Sequence, residues 1–200
     1  MGKDYLLDLM RSKSTIFTTK DVSLLWGEPN VTFVTKKLYR YIKAGKLYSV
    51  RKGIYAKDKT YEKYELATKI CTPSYISFET VLTRAGVNFQ YYGNTFVATY
   101  VTREIEAGDQ KMSFIRMKDY VLSNTAGIEH PDGIATATKE RAFLDRIYVS
   151  KDYHFDNLDA LDWNKVFEFL PIYHNKRMEK KVKTYFEHYK NNQSDKKENV

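Results

Sequence analysis

One cysteine, Cys71, stands alone in 200 residues. It cannot close an internal disulfide, so a disulfide-stapled framework is excluded. Cys71 itself is expected to be a small buried apolar residue. No run of about 18 uncharged apolar residues occurs, the length a spanning helix needs, so no membrane partner is expected. Met1-Gly2-Lys3-Asp4-Tyr5 does not lead from a cationic segment into an apolar one. A signal peptide is therefore not expected, and the cytoplasm is the expected location. No glycine-rich loop of the phosphate-cradling kind is present. The histidines, His130, His154, His174 and His188, are scattered, and none pairs with another at metal-ligand spacing. No catalytic residue, metal or cofactor is expected, and there is no internal repeat.

Disorder is also excluded for most of the length, because aromatics make up 15% of the residues, 17 of them Tyr. A chain this long can bury a core of its own. Its net charge is +8, and the charge is unevenly placed. Residues 1–57 carry 12 Lys/Arg and 4 Asp/Glu, a net of +8, and the remainder carries 21 of each. All the excess sits in the first part. A basic module joined to a neutral one points to a polyanion-binding head with a different task behind it.

The apolar pattern of the head predicts helices over about Asp4–Ser12 and from Thr18 or Thr19 to Trp26. A third runs over about Val31–Ala44, with Gly27-Glu28-Pro29-Asn30 as the turn before it. Asp21 suits the first turn of the second helix, whose apolar residues are Val22, Leu24, Leu25 and Trp26. Val34, Leu38, Tyr41 and Ile42 recur on one face of the third helix, and Gly45 ends it. Leu47–Val50 and Ile54–Ala56 read as strands around Arg51-Lys52-Gly53. Helix, helix, turn, helix and a basic-tipped hairpin is the order of a winged helix-turn-helix.

A connecting helix is expected at about Tyr61–Ile70, and a helix over Phe78–Arg84 with Ser77 as its cap. Thr95–Val101 and Lys111–Met117 read as two strands joined by a hairpin turn at Ala107-Gly108-Asp109. Tyr120–Leu122 and Gly133–Thr136 are further strand candidates. Thr138, with Glu140 behind it, opens a helix to about Val149. Helices follow from Asp156, with a break near Pro171, and the last is expected at about Lys176–Tyr189. The predicted fold class is α+β. Residues 1–58 form the winged helix-turn-helix. Residues 59–190 form a mixed domain with an antiparallel sheet and packed helices, and 191–200 a disordered tail.

With Val34, Leu38, Tyr41 and Ile42 turned inward, the 100° step per residue points Thr32, Phe33, Lys36, Tyr39, Arg40 and Lys43 outward. These are residue types that read a major groove: Arg and Lys pair with guanine edges, and Thr reaches bases or phosphates. Arg51 and Lys52 at the hairpin tip suit adjacent phosphates or the minor groove. Thr19 and Lys20, at the start of the second helix, are placed for phosphate contact. The plain alternative for any one Lys here is solvated surface, and RNA is the rival polyanion. With about five phosphates neutralised, log affinity for duplex DNA falls with log salt at a slope of roughly −4.5.

In the neutral part, Glu104 and Glu106 flank Ile105, with Lys111 in the next strand. A nuclease uses acids near a lysine, although a solvated hairpin edge has the same pattern. Asp145 and Arg146, inside an otherwise apolar helix, read as a buried polar pair of structural kind.

Several segments resemble the AbiEi-type antitoxins of bacterial type IV toxin–antitoxin systems. In the head these are Leu38-Tyr39-Arg40-Tyr41-Ile42-Lys43-Ala44-Gly45-Lys46-Leu47 leading into Arg51-Lys52-Gly53-Ile54-Tyr55. In the second part they are Ser74-Tyr75-Ile76-Ser77-Phe78-Glu79-Thr80-Val81-Leu82 and Ile134-Ala135-Thr136-Ala137-Thr138-Lys139-Glu140-Arg141-Ala142-Phe143-Leu144-Asp145. Ala137-Thr138 departs from the family pattern, which places a proline before the Glu-Arg pair; Thr138 keeps the helix cap. The resemblance covers roughly residues 3–150. It implies a head that binds inverted repeats in its own promoter and represses it; the chain itself is expected to be a monomer or weak dimer. It implies a second domain that opposes a partner nucleotidyltransferase-like toxin without requiring a stable complex. Two other readings of the residues stay open: a free-standing transcription factor with a ligand-sensing second domain, and a nucleic-acid enzyme.

Overall fold

A computed structural model describes residues 4–198, with side chains as far as Ser194. The chain is mixed α+β. Its contacts divide it into two units: residues up to Thr72 together with Glu106–Gln110, and the rest.

The first unit contains α1 (Tyr5–Arg11), β1 (Ile16–Thr18), α2 (Thr19–Trp26), α3 (Val31–Lys43), β2 (Tyr48–Arg51), β3 (Ile54–Ala56) and α4 (Lys63–Ile70). Asp4 caps α1 by accepting from the N–H groups of Leu6 and Leu7, both at 3.1 Å. Thr18 and Asp21 cap α2 reciprocally. The Asp21 N–H donates to the Thr18 hydroxyl (3.1 Å) and the Thr18 N–H to the Asp21 carboxylate (2.9 Å). Gly27, at φ 62°, ends α2. Asn30 caps α3 through the Phe33 N–H at 3.1 Å.

Leu9, Phe17, Val22, Trp26, Val34, Leu38, Leu47 and Tyr55 form one core, with Tyr41 and Ile42 packed against it. The inward face expected of α3 is thus the observed one. Only two of the four apolar residues expected to support α2 go in: Val22 and Trp26, an i,i+4 pair, are buried, whereas Leu24 and Leu25 are exposed. The sheet, ordered β1-β3-β2, is antiparallel throughout. β1 is an addition to the expected elements; three residues are too few for an alternation to register.

The connecting helix also falls with this unit, which moves the expected boundary at 58/59 to beyond Thr72. Two α4 residues one turn apart explain this. Glu65 is buried and accepts from the Thr15 N–H and hydroxyl, both at 2.8 Å, and Lys69 reaches Asp21 at 2.8 Å.

The second unit contains β4 (Ser74–Ile76), α5 (Glu79–Arg84), β5 (Asn94–Thr99), β6 (Arg103–Ala107), β7 (Gln110–Arg116), α6 (Asp119–Leu122), β8 (Ile128–Glu129), β9 (Thr136–Ala137), α7 (Lys139–Val149), α8 (Trp163–Phe169) and α9 (Lys176–Glu198). The tip of the β6–β7 hairpin, residues 106–110, is the segment assigned to the first unit. The six strands run β6-β7-β5-β4-β9-β8. This sheet is mixed, not antiparallel: β4–β5 and β8–β9 are antiparallel, β4–β9 and β5–β7 parallel. The expected hairpin between the 95–101 and 111–117 strands is therefore corrected. Gly108, at φ 63°, turns β6 into β7, and β6 lets β7 return parallel to β5. Tyr120–Leu122 is helical, and a short apolar run does not separate the two states.

Ser77 does not cap α5. Phe78 is the N-cap residue, at φ 54° and ψ −140°, with no side-chain cap, because the Ser77 hydroxyl donates to Asp145 instead. Thr138 does cap α7, accepting from the Arg141 N–H at 3.3 Å. The expected tail is helix as far as Glu198: residues 190–198 contain no Gly or Pro to stop it. Asn199 and Val200 of that tail lie outside the described residues.

Candidate nucleic-acid interface

The residues expected to face a nucleic acid come from three places in the first unit. On α3, Thr32, Phe33, Lys36, Tyr39, Arg40 and Lys43 are all exposed. Helix periodicity alone dictates this once Val34 and Leu38 are fully buried. α3 carries no acid along its 13 residues. Two aromatics shape its surface. Phe33 is partly used for packing, its ring 5.7 Å from that of Tyr5. Tyr39 is 59% exposed and holds the Lys43 ammonium 5.5 Å from its ring centre. Lys37, which faces the seam between α1 and α3, lies over Tyr5 and Tyr41.

The other two places are joined to each other. The Thr19 N–H, at the start of α2, donates to the Gly53 carbonyl at 3.1 Å, and Thr18 pairs with Ile54 across β1–β3. This fixes the beginning of α2 against the β2–β3 turn, where Arg51 and Lys52 are exposed and Gly53 takes φ 79°. It also refines the reading of Thr19. Its main-chain N–H is committed to Gly53, so a phosphate there meets its hydroxyl and the exposed Lys20.

A helix C-terminus by itself favours Arg40 and Lys43. No such local reason accounts for Lys36, Arg51 or Lys52. Among the described residues, none of Lys20, Lys36, Arg40, Arg51 and Lys52 forms an ion pair. Lys69, by contrast, is neutralised by Asp21. Burial works to raise the Asp21 carboxyl, but Lys69 and the Thr18 N–H and hydroxyl outweigh it and hold it below the ordinary carboxylate value.

Glu104 and Glu106 are exposed on β6, an edge strand, and Lys111 is exposed on β7. Glu104 accepts a long bond from the Ser113 hydroxyl at 3.5 Å. The four histidines are exposed and Cys71 is buried. Among the described residues, no group of three or more His, Cys, Asp and Glu converges as a metal site.

The pairing of Asp145 is corrected. Its partner is Arg141, one turn earlier on the same face of α7, at 3.4 Å; Arg146 pairs with Glu79 on α5 at 3.0 Å. Asp145 and Arg141 are fully buried. The Asp145 carboxylate accepts from the hydroxyls of Tyr173 (2.7 Å), Ser77 (2.7 Å) and Tyr75 (3.3 Å). The Arg141 guanidinium donates to the carbonyls of Val121 (2.7 Å) and Ala126 (2.9 Å) and to the Tyr75 hydroxyl (3.2 Å). Burial pushes the Asp145 carboxyl up, against the pull of Arg141 and the three hydroxyls. It also pushes the Tyr75 and Tyr173 phenols well above their ordinary range, and the charge on Asp145 adds to this. The two second-part segments that carry the family resemblance, 74–82 and 134–145, meet in this network.

No family model matches the chain, and no curated protein does either.

Proposed function

We propose that the first unit is a winged helix-turn-helix that binds double-stranded DNA, with α3 in the major groove and the β2–β3 turn beside it. The observation that carries this reading is the exposed, acid-free face of α3 in the part of the chain that holds the whole net charge of +8. The tether between Thr19 and Gly53 supports it, because it holds two further groups of phosphate donors together. On this reading Arg40 and Lys36 face base edges and Lys20, Arg51 and Lys52 face phosphates.

The resemblance to AbiEi-type antitoxins supplies the second half of the proposal. The chain is a cytoplasmic antitoxin that represses its own promoter at inverted repeats and opposes a nucleotidyltransferase-like toxin. A mobility-shift titration on the promoter DNA of its own gene tests the first half; no shift at low salt overturns it. Co-expression with the neighbouring gene tests the second; a neighbour that is harmless when expressed alone overturns it.

One observation favours a second reading, a transcription factor with a ligand-sensing second domain. A cleft of about 520 Å³ lies in the second unit, lined by Arg84, Lys139 and Lys165 and by Glu129 and Asp162. A cleft of this size and mixed charge suits a small zwitterion. Thermal stabilisation by such a ligand, with no toxic neighbour, decides for that reading.

A further inference from the structure

Helix α9 carries a second concentration of positive charge, and it lies where a helix does not want it. Residues 176–183 contain Lys176, Arg177, Lys180, Lys181 and Lys183 against one acid, Glu179. The N-terminal turns of a helix favour anions and disfavour cations. Capping does not call for them either, since the Asn175 side chain already accepts from the N–H groups of Arg177 and Met178, both at 3.1 Å.

The side chains are arranged in two stripes. Met178 and Val182 are buried and fix the inner face of the helix. Lys176, Lys180 and Lys183, spaced i, i+4 and i+7, lie on the exposed side. Arg177 and Lys181 border a cleft of about 180 Å³ that Lys151, Ser150 and Asn175 also line. Lys181 is tied to this edge through the Lys151 carbonyl and Asp152, 3.7 Å away. Among the described residues, Lys176, Arg177, Lys180 and Lys183 form no ion pair.

We propose that this edge of the second unit is a phosphate-binding surface engaged by the backbone of a nucleic acid, made of residues other than those proposed for the first unit. The cleft has room and cations for one phosphodiester group, and the outer stripe follows with cations at successive turns. A membrane surface fits less well. The apolar residues of these turns are buried, so nothing remains to insert between lipids. The shared chemistry is the phosphodiester chain, and duplex DNA and RNA are its two sources.

The test uses the full chain and a triple variant, Arg177→Gln, Lys180→Gln and Lys183→Gln. Binding is titrated against salt on duplex DNA of random sequence and on an RNA hairpin of equal length. A parallel variant carries Lys36→Gln and Arg40→Gln. Loss of about 2–3 in the slope of log affinity against log salt supports the surface, and the probe that shows it, DNA or RNA, names its source. An Arg177→Lys, Lys183→Arg variant that binds like the parent adds that charge is what matters. If the triple variant melts like the parent and binds both probes unchanged, the proposal is overturned. The proposal for the first unit then stands or falls on the Lys36/Arg40 variant alone. Competition by polyglutamate as strong as by nucleic acid, residue for charge, also overturns it, because the site is then a general acidic-peptide surface. If the triple variant fails to fold, the single Lys180→Glu change on the exposed stripe carries the same reading.

Discussion

Replacing Arg141 by methionine tests the buried network directly. The substitution keeps much of the side-chain volume and removes the guanidinium. Asp145 then keeps three hydroxyl donors but loses the cation paired with it, in a site with no solvent exposure. Breaking a buried pair from one side costs about 3–5 kcal/mol. The carbonyls of Val121 and Ala126, which the guanidinium serves at 2.7 and 2.9 Å, lose a donor as well. For a chain of this size each kcal/mol moves the melting midpoint by about 2–4 °C, so the expected fall is about 6–20 °C. Thermal melting followed by circular dichroism reads it. The second arm is the double variant Arg141→Met, Asp145→Leu, which removes the stranded charge. It is expected to melt above the single Arg141→Met variant, because a buried apolar pair is tolerated better than a lone buried charge. A single variant within about 2 °C of the parent refutes the reasoning, since that is the shift of under about 1 kcal/mol. A double variant that loses the sum of the two single losses refutes it equally, because no coupling then exists.

Three further outcomes follow from the same geometry. Gly127→Ala is expected to destabilise by more than about 2 kcal/mol, the left-handed penalty and overpacking together: φ is +72°, and a Cβ there meets the Phe169 ring at 2.8 Å and Arg141 Cβ at 2.9 Å. Gly45→Ala, at φ +66° with open space around it, is expected to cost only the left-handed penalty of about 1–2 kcal/mol; equal costs by urea unfolding contradict this contrast. The depressed Asp21 carboxyl contributes stability that is present above the ordinary carboxylate value of 3.8 and is lost as the pH falls through its lower folded value. Asp21→Asn is therefore expected to flatten the acid limb of a melting-midpoint-against-pH curve, and an unchanged limb speaks against the Lys69 pairing. Arg40→Gln is expected to weaken operator binding by about 1–3 kcal/mol and to relax preference at one base pair; an equal loss on all sequences reassigns Arg40 to phosphate contact.

Where periodicity is long and local, the sequence was legible. The face of α3 could be read because Val34, Leu38, Tyr41 and Ile42 recur over more than two turns, and its caps are adjacent residues. β1 and β6 could not be. β1 has three residues, and β6 offers only Ile105 and Ala107 as inward positions between exposed acids. Strand order was invisible for a different reason: pairing β5 parallel to β7 depends on contacts that no short window contains. Ser77 shows the conflict at one residue. Its position before a helix suggests a cap, but a fully buried carboxylate 68 positions away takes its hydroxyl. The partner of Asp145 was within reach, since Arg141 sits one turn back on the same face, whereas Arg146 is rotated 100° from it.

The placement of the resemblance segments separates two questions that the sequence ran together. Tyr75, Ser77 and Glu79 from one segment, and Arg141 and Asp145 from the other, are all buried, and they bond to each other or to α7. Residues with that environment specify a scaffold: they join β4 to α7 and leave nothing for a partner to touch. These five residues therefore bear on the fold, and a surface that opposes a toxin has to use other side chains, among them Lys139 of the second segment, which lines the cleft. In the head the relation is reversed. There the resembling residues Tyr39, Arg40 and Lys43 are exposed, and Arg51 and Lys52 with them. The proposal of DNA binding thus rests on charge and exposure that are independent of any family. On the proposed reading, substitutions in the buried network are expected to act on both repression and toxin neutralisation through stability, and substitutions on α3 on repression alone.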